Sequence, residues 1–323
     1  PGTLLAETLS AGNTRTAESV RLIKATSSEW SSGNGRFYFP TRIDELVSVY
    51  AARPHATLVA GGTDVVVDRN RLHGKAGDLI YIGAIDQLQT LTQTATEFRI
   101  GATTPLDRVF ELLLTDYPEY TEYFRRFAAP PITGVATLGG NLANASPVGD
   151  MLPLLMSLDA RLRLRGPQGQ RELAIAEFFT GYRTTALAAG EFLENVVVPR
   201  RASGQIIGAY KVAKRFEQDT SSVSAAFSVA LDGGHIRRAR ASFGGMSPYI
   251  QRAASIEALL NGKRWSEETV EAAAMAVPDA FTPLSDVRGS ANFRSQVAAN
   301  LLRKFYLAHA WPQEASLWRE ARL

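Results

Sequence analysis

Residues 58–65 of this chain read Leu58-Val59-Ala60-Gly61-Gly62-Thr63-Asp64-Val65. A second glycine-rich stretch reads Thr137-Leu138-Gly139-Gly140-Asn141-Leu142-Ala143-Asn144-Ala145-Ser146-Pro147. The two glycines of this first stretch come directly after an apolar, strand-like segment, 56–60. Because glycine has no Cβ, backbone N–H groups in such a turn can approach a phosphate closely. The first stretch therefore predicts a cradle for a diphosphate.

The common nucleotide-binding fingerprints are missing from this sequence. The second glycine stretch lacks the G-x-G-x-x-G of a Rossmann turn, and G-x-x-x-x-G-K-[ST] occurs nowhere in the chain. Those two patterns identify the usual NAD and ATP sites. A flavin dinucleotide held between the two glycine stretches is therefore the leading interpretation.

Size, composition and charge are typical of an enzyme component. The chain has 323 residues, of which 45% are hydrophobic and 21% charged, so it can bury a large core and form about two domains. Its 35 basic and 32 acidic residues leave a net charge of only +3. The basic residues are scattered, which does not favour nucleic-acid binding.

The chain has no cysteine. This excludes disulfides, a thiol nucleophile and a Cys-ligated iron–sulfur cluster within these residues. No metal site is predicted either, because the histidines are widely spaced and show no ligand pattern. They are His55, His73, His235 and His309. A G-x-S-x-G elbow is also missing, so hydrolysis by an activated serine has no support.

No apolar run approaches the length that a bilayer requires, and the first residues do not form a charged-then-apolar signal. We therefore expect a soluble, cytoplasmic protein without a membrane partner.

Hydrophobic periodicity outlines the organisation of the chain. Residues 1–35, rich in Ser, Thr and Gly, are interpreted as a linker. The predicted helices span residues 43–52, 106–115, 152–158, 253–260, 266–276 and 295–309. The predicted strands span residues 56–60, 79–82, 98–100, 208–214, 224–231 and 236–243. Residues 65–70 continue from the first glycine stretch.

Five further motifs occur in a fixed order along the chain. They are Phe37-Tyr38-Phe39-Pro40-Thr41, Ile100-Gly101-Ala102, Glu177-Phe178-Phe179-Thr180-Gly181-Tyr182-Arg183, Lys214-Arg215-Phe216-Glu217-Gln218-Asp219 and Phe243-Gly244-Gly245-Met246. With the glycine stretches, they resemble the FAD domain of the xanthine dehydrogenase and carbon monoxide dehydrogenase flavoprotein family. The resemblance covers roughly residues 36–307.

The resemblance implies an α+β fold of the type named after vanillyl-alcohol oxidase and p-cresol methylhydroxylase (PCMH). By this resemblance, residues 36–201 form the two-part FAD-binding domain. Residues 204–312 form a C-terminal domain like that of carbon monoxide dehydrogenase flavoproteins, a small antiparallel sheet with a helical bundle. Residues 1–35 are what remains of a junction to iron–sulfur domains, and residues 313–323 are a tail. The chain, which begins at Pro1, is expected to be a piece of something longer.

The family's FAD contacts transfer to this sequence by position. Residues 58–65 would form the diphosphate loop, completed by Phe127, Thr137, Asp150, Leu193 and Lys211. Thr137 and Asp150 would bond cofactor hydroxyls and amides, whereas Phe127 and Leu193 would be apolar walls. Lys211 would place a positive charge near the flavin. Tyr182 is a second-rank candidate.

Each of these residues also has a purely structural interpretation. Asp150 can cap the helix that follows it, with Pro153 in the first turn. Thr137 can bond its own backbone, Lys211 can point to solvent, and the two apolar residues can be plain core. The sequence also departs from the family, with Pro131-Ile132-Thr133 where Gln-Ile-Arg is usual, so proline stiffens the approach to the second stretch.

The resemblance implies the flavin module of a bacterial xanthine dehydrogenase. FAD would take electrons from two [2Fe–2S] clusters and pass hydride to NAD⁺. The clusters and the molybdopterin would lie on iron–sulfur domains and a large subunit. In this family the flavin is the reactive group, so no catalytic side chain is predicted.

Two alternatives remain open at this point. One is the flavoprotein subunit of carbon monoxide dehydrogenase or of another molybdenum hydroxylase. The other is a non-catalytic assembly module that has lost FAD. The glycine stretches do not discriminate NAD⁺ from oxygen as the acceptor.

Overall fold

The computed structural model describes residues 28–32, 35–72 and 77–310. Among these residues the strands are β1 Ser28–Ser32, β2 Gly35–Phe39, β3 Thr57–Val59, β4 Leu79–Tyr81, β5 Leu91–Gln93, β6 Glu97–Gly101, β7 Arg161–Gly166, β8 Gly169–Ala174, β9 Phe179–Gly181, β10 Thr184–Thr185, β11 Phe192–Pro199, β12 Gln205–Val212, β13 Val223–Asp232, β14 His235–Gly244 and β15 Gln251–Arg252. The helices are α1 Ile43–Ala52, α2 Thr63–Leu72, α3 Leu106–Leu114, α4 Thr121–Arg125, α5 Pro130–Thr133, α6 Leu138–Ala143, α7 Met151–Ser157, α8 Ala254–Leu260, α9 Glu267–Met275, α10 Val277–Ala280 and α11 Ala291–Ala310. The predicted α+β class is confirmed.

The first layer is a four-stranded sheet in the order β1-β2-β4-β3. β4 runs parallel to both β2 and β3. Helix α1, whose apolar residues recur on one face, buries Ile43 and Leu46 against this sheet beside Ile80. The first glycine stretch therefore lies where the parallel strand β3 ends and helix α2 begins.

The second layer is a five-stranded antiparallel sheet in the order β5-β6-β11-β7-β8. Its central strand places Val196 between Ile100 and Leu162. The sequence analysis identified only β6 of this sheet. The alternating Arg-Leu pattern of β7 is a clear strand signal, with leucines buried and arginines on the other face.

Helix α7 joins the two halves of the molecule. Every residue from Met151 to Ser157 is buried, and the cluster around it includes Ile207 and Ala226 of the C-terminal sheet. A short helix that is apolar all round belongs in the interior. The five-stranded sheet and the C-terminal sheet therefore share one core.

The C-terminal part is an antiparallel sheet, β12-β13-β14-β15, backed by helices α8 to α11. Phe227 of β13 stacks on Phe305 of α11 with ring centroids 5.1 Å apart. The predicted strands and helices of this region are confirmed. The last helix begins at Ala291, earlier than predicted.

Part of the predicted linker is ordered secondary structure. Ser28–Ser32 pairs antiparallel with Gly35–Phe39, and Trp30 lies 5.6 Å from Phe37 and 6.3 Å from Phe39, measured between ring centroids. These cross-strand aromatic contacts explain why a Ser- and Gly-rich stretch forms a strand here. Residues 28–32 of the predicted linker therefore form a paired strand, and residues 1–27, 33–34 and 313–323 lie outside the described residues.

In the described ranges, no helix combines the length and the apolar character needed to cross a bilayer.

Candidate functional site

The first glycine stretch connects β3 to α2. Gly62 has φ +72°, a conformation that glycine adopts without strain. A Cβ added to Gly61 would lie 2.5 Å from the carbonyl carbon of Val135 and closer still to its oxygen. Gly61 is therefore required so that the first stretch can touch the segment leading into the second. The two glycine stretches meet at this contact.

The N–H groups of this stretch are available to a ligand. Among the described residues, no protein acceptor is found for the backbone N–H groups of residues 61–64. They precede and begin helix α2, whose N-terminal turn carries a partial positive charge. Consecutive free N–H groups at such a position are suited to phosphate oxygens. This observation fits the predicted diphosphate cradle.

The second glycine stretch differs from the predicted loop, because residues 138–143 form helix α6. Thr137 caps this helix, and its Oγ1 accepts a bond from the N–H of Gly140 at 3.1 Å. The N–H of Gly139 donates to the carbonyl of Ala102 at 2.7 Å. A Cβ on Gly139 would lie 2.6 Å from that oxygen. Gly139 thus permits close packing against Ala102, the residue after β6, and the N–H groups of Gly139 and Gly140 are bonded within the protein.

Three buried side-chain oxygens near this helix have no protein partner in the described part of the chain. They are Oγ1 of Thr103, Oγ1 of Thr104 and Oδ1 of Asn141. The carbonyl of Thr104 accepts a bond from the N–H of Leu138, so the threonines lie directly beside α6. Buried polar atoms are nearly always bonded. These oxygens therefore fit a polar ligand lying beside α6.

Asp150 and Lys211 form a buried ion pair. Nζ of Lys211 donates to Oδ2 of Asp150 at 2.6 Å, and the residues are only 5% and 7% exposed. Oγ of Ser221 donates to the other carboxylate oxygen, Oδ1, at 2.5 Å. Asp150 stands at the N-cap of α7 but makes no capping bond. Two structural interpretations are therefore wrong: the carboxylate does not cap the helix, and the lysine does not point to solvent.

Two further residues surround this ion pair. The hydroxyl of Tyr123 donates to the backbone carbonyl of Asp150 at 2.8 Å, and Nη1 of Arg126 donates to the carbonyl of Lys211 at 2.6 Å. Burial raises the pKa of Asp150, while the bonds from Lys211 and Ser221 oppose that rise. Burial and the charge of Asp150 raise the pKa of Tyr123.

The apolar candidates lie in the core of the same region. Phe127 is partly buried, with its ring centroid 5.5 Å from that of Phe110. Leu193 is buried on β11, and the carbonyl of the next residue, Glu194, accepts a bond from the N–H of Ala102. Tyr182 is 64% exposed at a turn, so it is not the packing residue that its type suggests.

The structure therefore gathers most of the predicted site in one region. The two glycine stretches are in contact through Gly61, helix α6 leads to α7 and Asp150, and Lys211 reaches Asp150 from the C-terminal sheet. The donors and unpartnered oxygens fit a dinucleotide with a diphosphate and several hydroxyls. Sequence reasoning missed Ser221, Arg126 and the Thr103-Thr104 pair. Only the Ser-Ser pair before β13 and the paired arginines offered any signal.

Comparison with known proteins identifies this arrangement. The family described as "FAD binding domain in molybdopterin dehydrogenase" matches residues 31–201, more than half of the chain. The chain belongs to the molybdenum hydroxylase flavoprotein family. The family described as "CO dehydrogenase flavoprotein C-terminal domain" matches residues 208–309. The chain is thus an FAD-binding flavoprotein module, and the predicted family and cofactor are confirmed.

Individual relatives fall into more than one functional type. Xanthine dehydrogenase/oxidase of Gallus gallus is 33% identical over 284 residues, covering 83% of this chain and 21% of the relative. Nicotinate hydroxylase of Emericella nidulans is 29% identical over 290 residues, covering 83% and 22%. A carbon monoxide dehydrogenase structure from Hydrogenophaga pseudoflava has a TM-score of 0.78 and 26% identity, covering 83% of this chain and 94% of that chain. This chain spans about a fifth of the length of the curated relatives it matches.

Proposed function

We propose that this chain is the flavin module of a xanthine dehydrogenase of bacterial type. It receives electrons from [2Fe–2S] clusters and passes them to NAD⁺. FAD supplies the redox chemistry when it is bound, because it accepts electrons singly and donates a hydride. The chain's own residues bind the cofactor, orient it and set the charge around it.

The observation that carries the proposal is the run of N–H groups at residues 61–64, for which the described part of the chain supplies no acceptor. They lie beside the second glycine stretch, as a diphosphate site requires. The similarity to xanthine dehydrogenase/oxidase of Gallus gallus supports the finer assignment. The same positions that carry these contacts also carry the family resemblance of the sequence.

We assign the individual residues as follows. The diphosphate is held by backbone groups of residues 58–65. Asp150 and Lys211 present a buried negative and a buried positive group, and Thr137 fixes the N-terminus of helix α6. Phe127 and Leu193 provide apolar surface for the rings. None of these side chains needs to transfer a proton in the electron-transfer step.

The remaining chemistry belongs to other domains or subunits. The sequence has no cysteine, and cysteine thiolates are the usual ligands of iron–sulfur clusters. The clusters and the molybdopterin therefore reside on iron–sulfur domains and on a large subunit. The acceptor site for NAD⁺ is assigned to the flavin module.

The test begins with the purified chain. We expect it to be yellow and to release a flavin dinucleotide on denaturation. With FAD bound, it should oxidise NADH in the presence of an artificial electron acceptor, yet not oxidise xanthine. Xanthine-dependent reduction of the acceptor by this chain alone would contradict the division of labour.

A second candidate is the flavoprotein subunit of carbon monoxide dehydrogenase. It is favoured by the solved chain from Hydrogenophaga pseudoflava, of which this chain covers 94%. A yellow protein that does not oxidise NADH but passes electrons to an acceptor other than NAD⁺ would support a flavoprotein with a different physiological acceptor. A colourless protein that does not bind added FAD would support the hypothesis of a non-catalytic assembly module.

A further inference from the structure

Residues at both ends of the loop between β12 and β13 bond the carboxylate of Asp150. Lys211 lies at the end of β12 and bonds Oδ2 of Asp150, whereas Ser221 lies just before β13 and bonds Oδ1. The backbone closes the loop as well, because the N–H of Ser222 donates to the carbonyl of Val212 at 2.8 Å. The loop and Asp150 therefore form one unit.

Ser221 is placed to act on Asp150. The residue is fully buried, and its hydroxyl donates at 2.5 Å to the one carboxylate oxygen that Lys211 does not bond. Bonds to ionised groups are roughly twice as strong as those between neutral groups. With a different donor on each oxygen, the plane of the carboxylate is fixed and cannot turn toward the N-terminus of α7.

Arg126 keeps this loop in position from outside. Its Nε donates to the carbonyl of Phe216 at 2.9 Å, and Nη1 donates to the carbonyl of Lys211 at 2.6 Å. Its guanidinium also lies over the ring of Phe216, 4.6 Å from the centroid. Arg126 thus holds the loop at Lys211 and at Phe216, while the bond from the N–H of Ser222 to the carbonyl of Val212 closes the loop next to Ser221.

We infer that Ser221 is a positioning residue that holds the Asp150 carboxylate correctly turned for the bound flavin dinucleotide. The inference rests on the proposed function and on the role that the family resemblance implies for Asp150, which is to accept bonds from the cofactor. Ser221 does not touch the cofactor in this assignment. It acts through the carboxylate that does.

The role of Ser221 depends on pH, because the groups around Asp150 determine the pKa of its carboxyl group. The groups that act on Asp150 are Lys211 from β12, Arg126 after α4, Tyr123 from α4 and Ser221 itself. Burial raises the pKa of Asp150, and the Ser221 bond works against this rise. Removing the hydroxyl therefore moves the pKa of Asp150 further upward, so that the carboxylate is lost at a higher pH.

The experiment measures the FAD dissociation constant against pH for the wild type, Ser221→Ala and Ser222→Ala. Ser222 is the matched control, because it is equally buried and adjacent, but its hydroxyl bonds the carbonyl of Arg288. In Ser221→Ala we expect the loss of affinity at low pH to begin about one pH unit higher, equivalent to a tenfold change in affinity at intermediate pH. Ser222→Ala should follow the wild-type profile, and Ser221→Thr should restore it.

A second readout uses the protein without FAD. The Ser221 bond stabilises the folded state only while Asp150 is ionised, so the melting temperatures of wild type and Ser221→Ala should differ more at pH 8 than at pH 5. The difference should not depend on pH in an Asp150→Asn background. A wild type that fails to bind FAD would contradict the proposed function. Identical pH profiles for Ser221→Ala and Ser222→Ala, with wild-type FAD binding intact, would overturn the role of Ser221.

Discussion

Replacing Gly61 by alanine tests the diphosphate cradle most directly. The added Cβ would lie 2.5 Å from the carbonyl carbon of Val135, whereas ordinary contact begins at 3.4 Å. The first glycine stretch and the segment before α6 would therefore have to separate by at least about 0.9 Å, because a packed interior has no free space for the added methyl group. The neighbouring atoms are backbone, so no side chain can move aside.

The expected cost to cofactor binding follows from this displacement. A shift of this size breaks or lengthens bonds between the N–H groups and the phosphates, and one hydrogen bond to a charged group is worth about 1.5–3 kcal/mol. The FAD dissociation constant should therefore rise by tenfold or more, since about 1.4 kcal/mol corresponds to a factor of ten.

Two matched variants separate this effect from general destabilisation. At Gly77 an added Cβ meets no atom within 4 Å, so Gly77→Ala should bind FAD as the wild type does. At Gly62 the Cβ has room, its nearest neighbour being Cγ1 of Val59 at 3.8 Å, but φ is +72°. Gly62→Ala should therefore lose about 1–2 kcal/mol of folding stability through backbone strain.

The assay combines FAD titration with thermal melts recorded with and without FAD, because a ligand that binds only the folded state raises the melting temperature. We expect Gly61→Ala to lose the FAD-induced shift and Gly77→Ala to keep it. A Gly61→Ala protein that melts earlier but retains wild-type FAD affinity would refute the cradle at residues 61–64.

Two further predictions concern charged groups. Lys211→Met leaves the buried Asp150 without its cationic partner, so urea titration should show a free energy of unfolding lower by about 3–5 kcal/mol. Lys214→Met, at an exposed position, should change this free energy little. Equal stability of the two variants would contradict the buried ion pair. Bonds from Arg171 and from a backbone N–H lower the pKa of Glu191, so its contribution is present above the unfolded pKa and is lost as pH falls through the folded pKa. Glu191→Gln should therefore be destabilised at pH 7 and approach wild-type stability in acid, as melting curves across pH would show; a constant difference would refute this.

Local patterns predicted many of the individual elements. The helix at residues 43–52 agrees with α1 because its apolar residues repeat on one face, and the strand before Gly61 was recognised from its mainly apolar residues. The five-stranded sheet was mostly missed. Strand β7 carries a local signal, its Arg-Leu alternation, that was overlooked. Strand β8 is charged and mostly exposed, and it is joined to β7 by pairs such as Arg163 with Glu172, which are not visible in a single segment.

The sequence alone identified the family and its FAD cofactor, through the resemblance of its ordered motifs to those of known flavoproteins. It also located the first glycine turn, because a glycine pair after a strand-like segment is a local property of the chain. Whether a given N–H group is free was decided only by tertiary structure. The N–H of Gly139 donates to the carbonyl of Ala102, whereas the N–H groups of residues 61–64 have no acceptor among the residues that the structure describes. The same is true of Asp150, whose partners Lys211 and Ser221 lie 61 and 71 residues away in the chain. A carboxylate in a sequence can cap a helix, face solvent or pair in the core, and only the packing of the C-terminal sheet against α7 selects the buried pair, because burial makes an unpaired charge too costly.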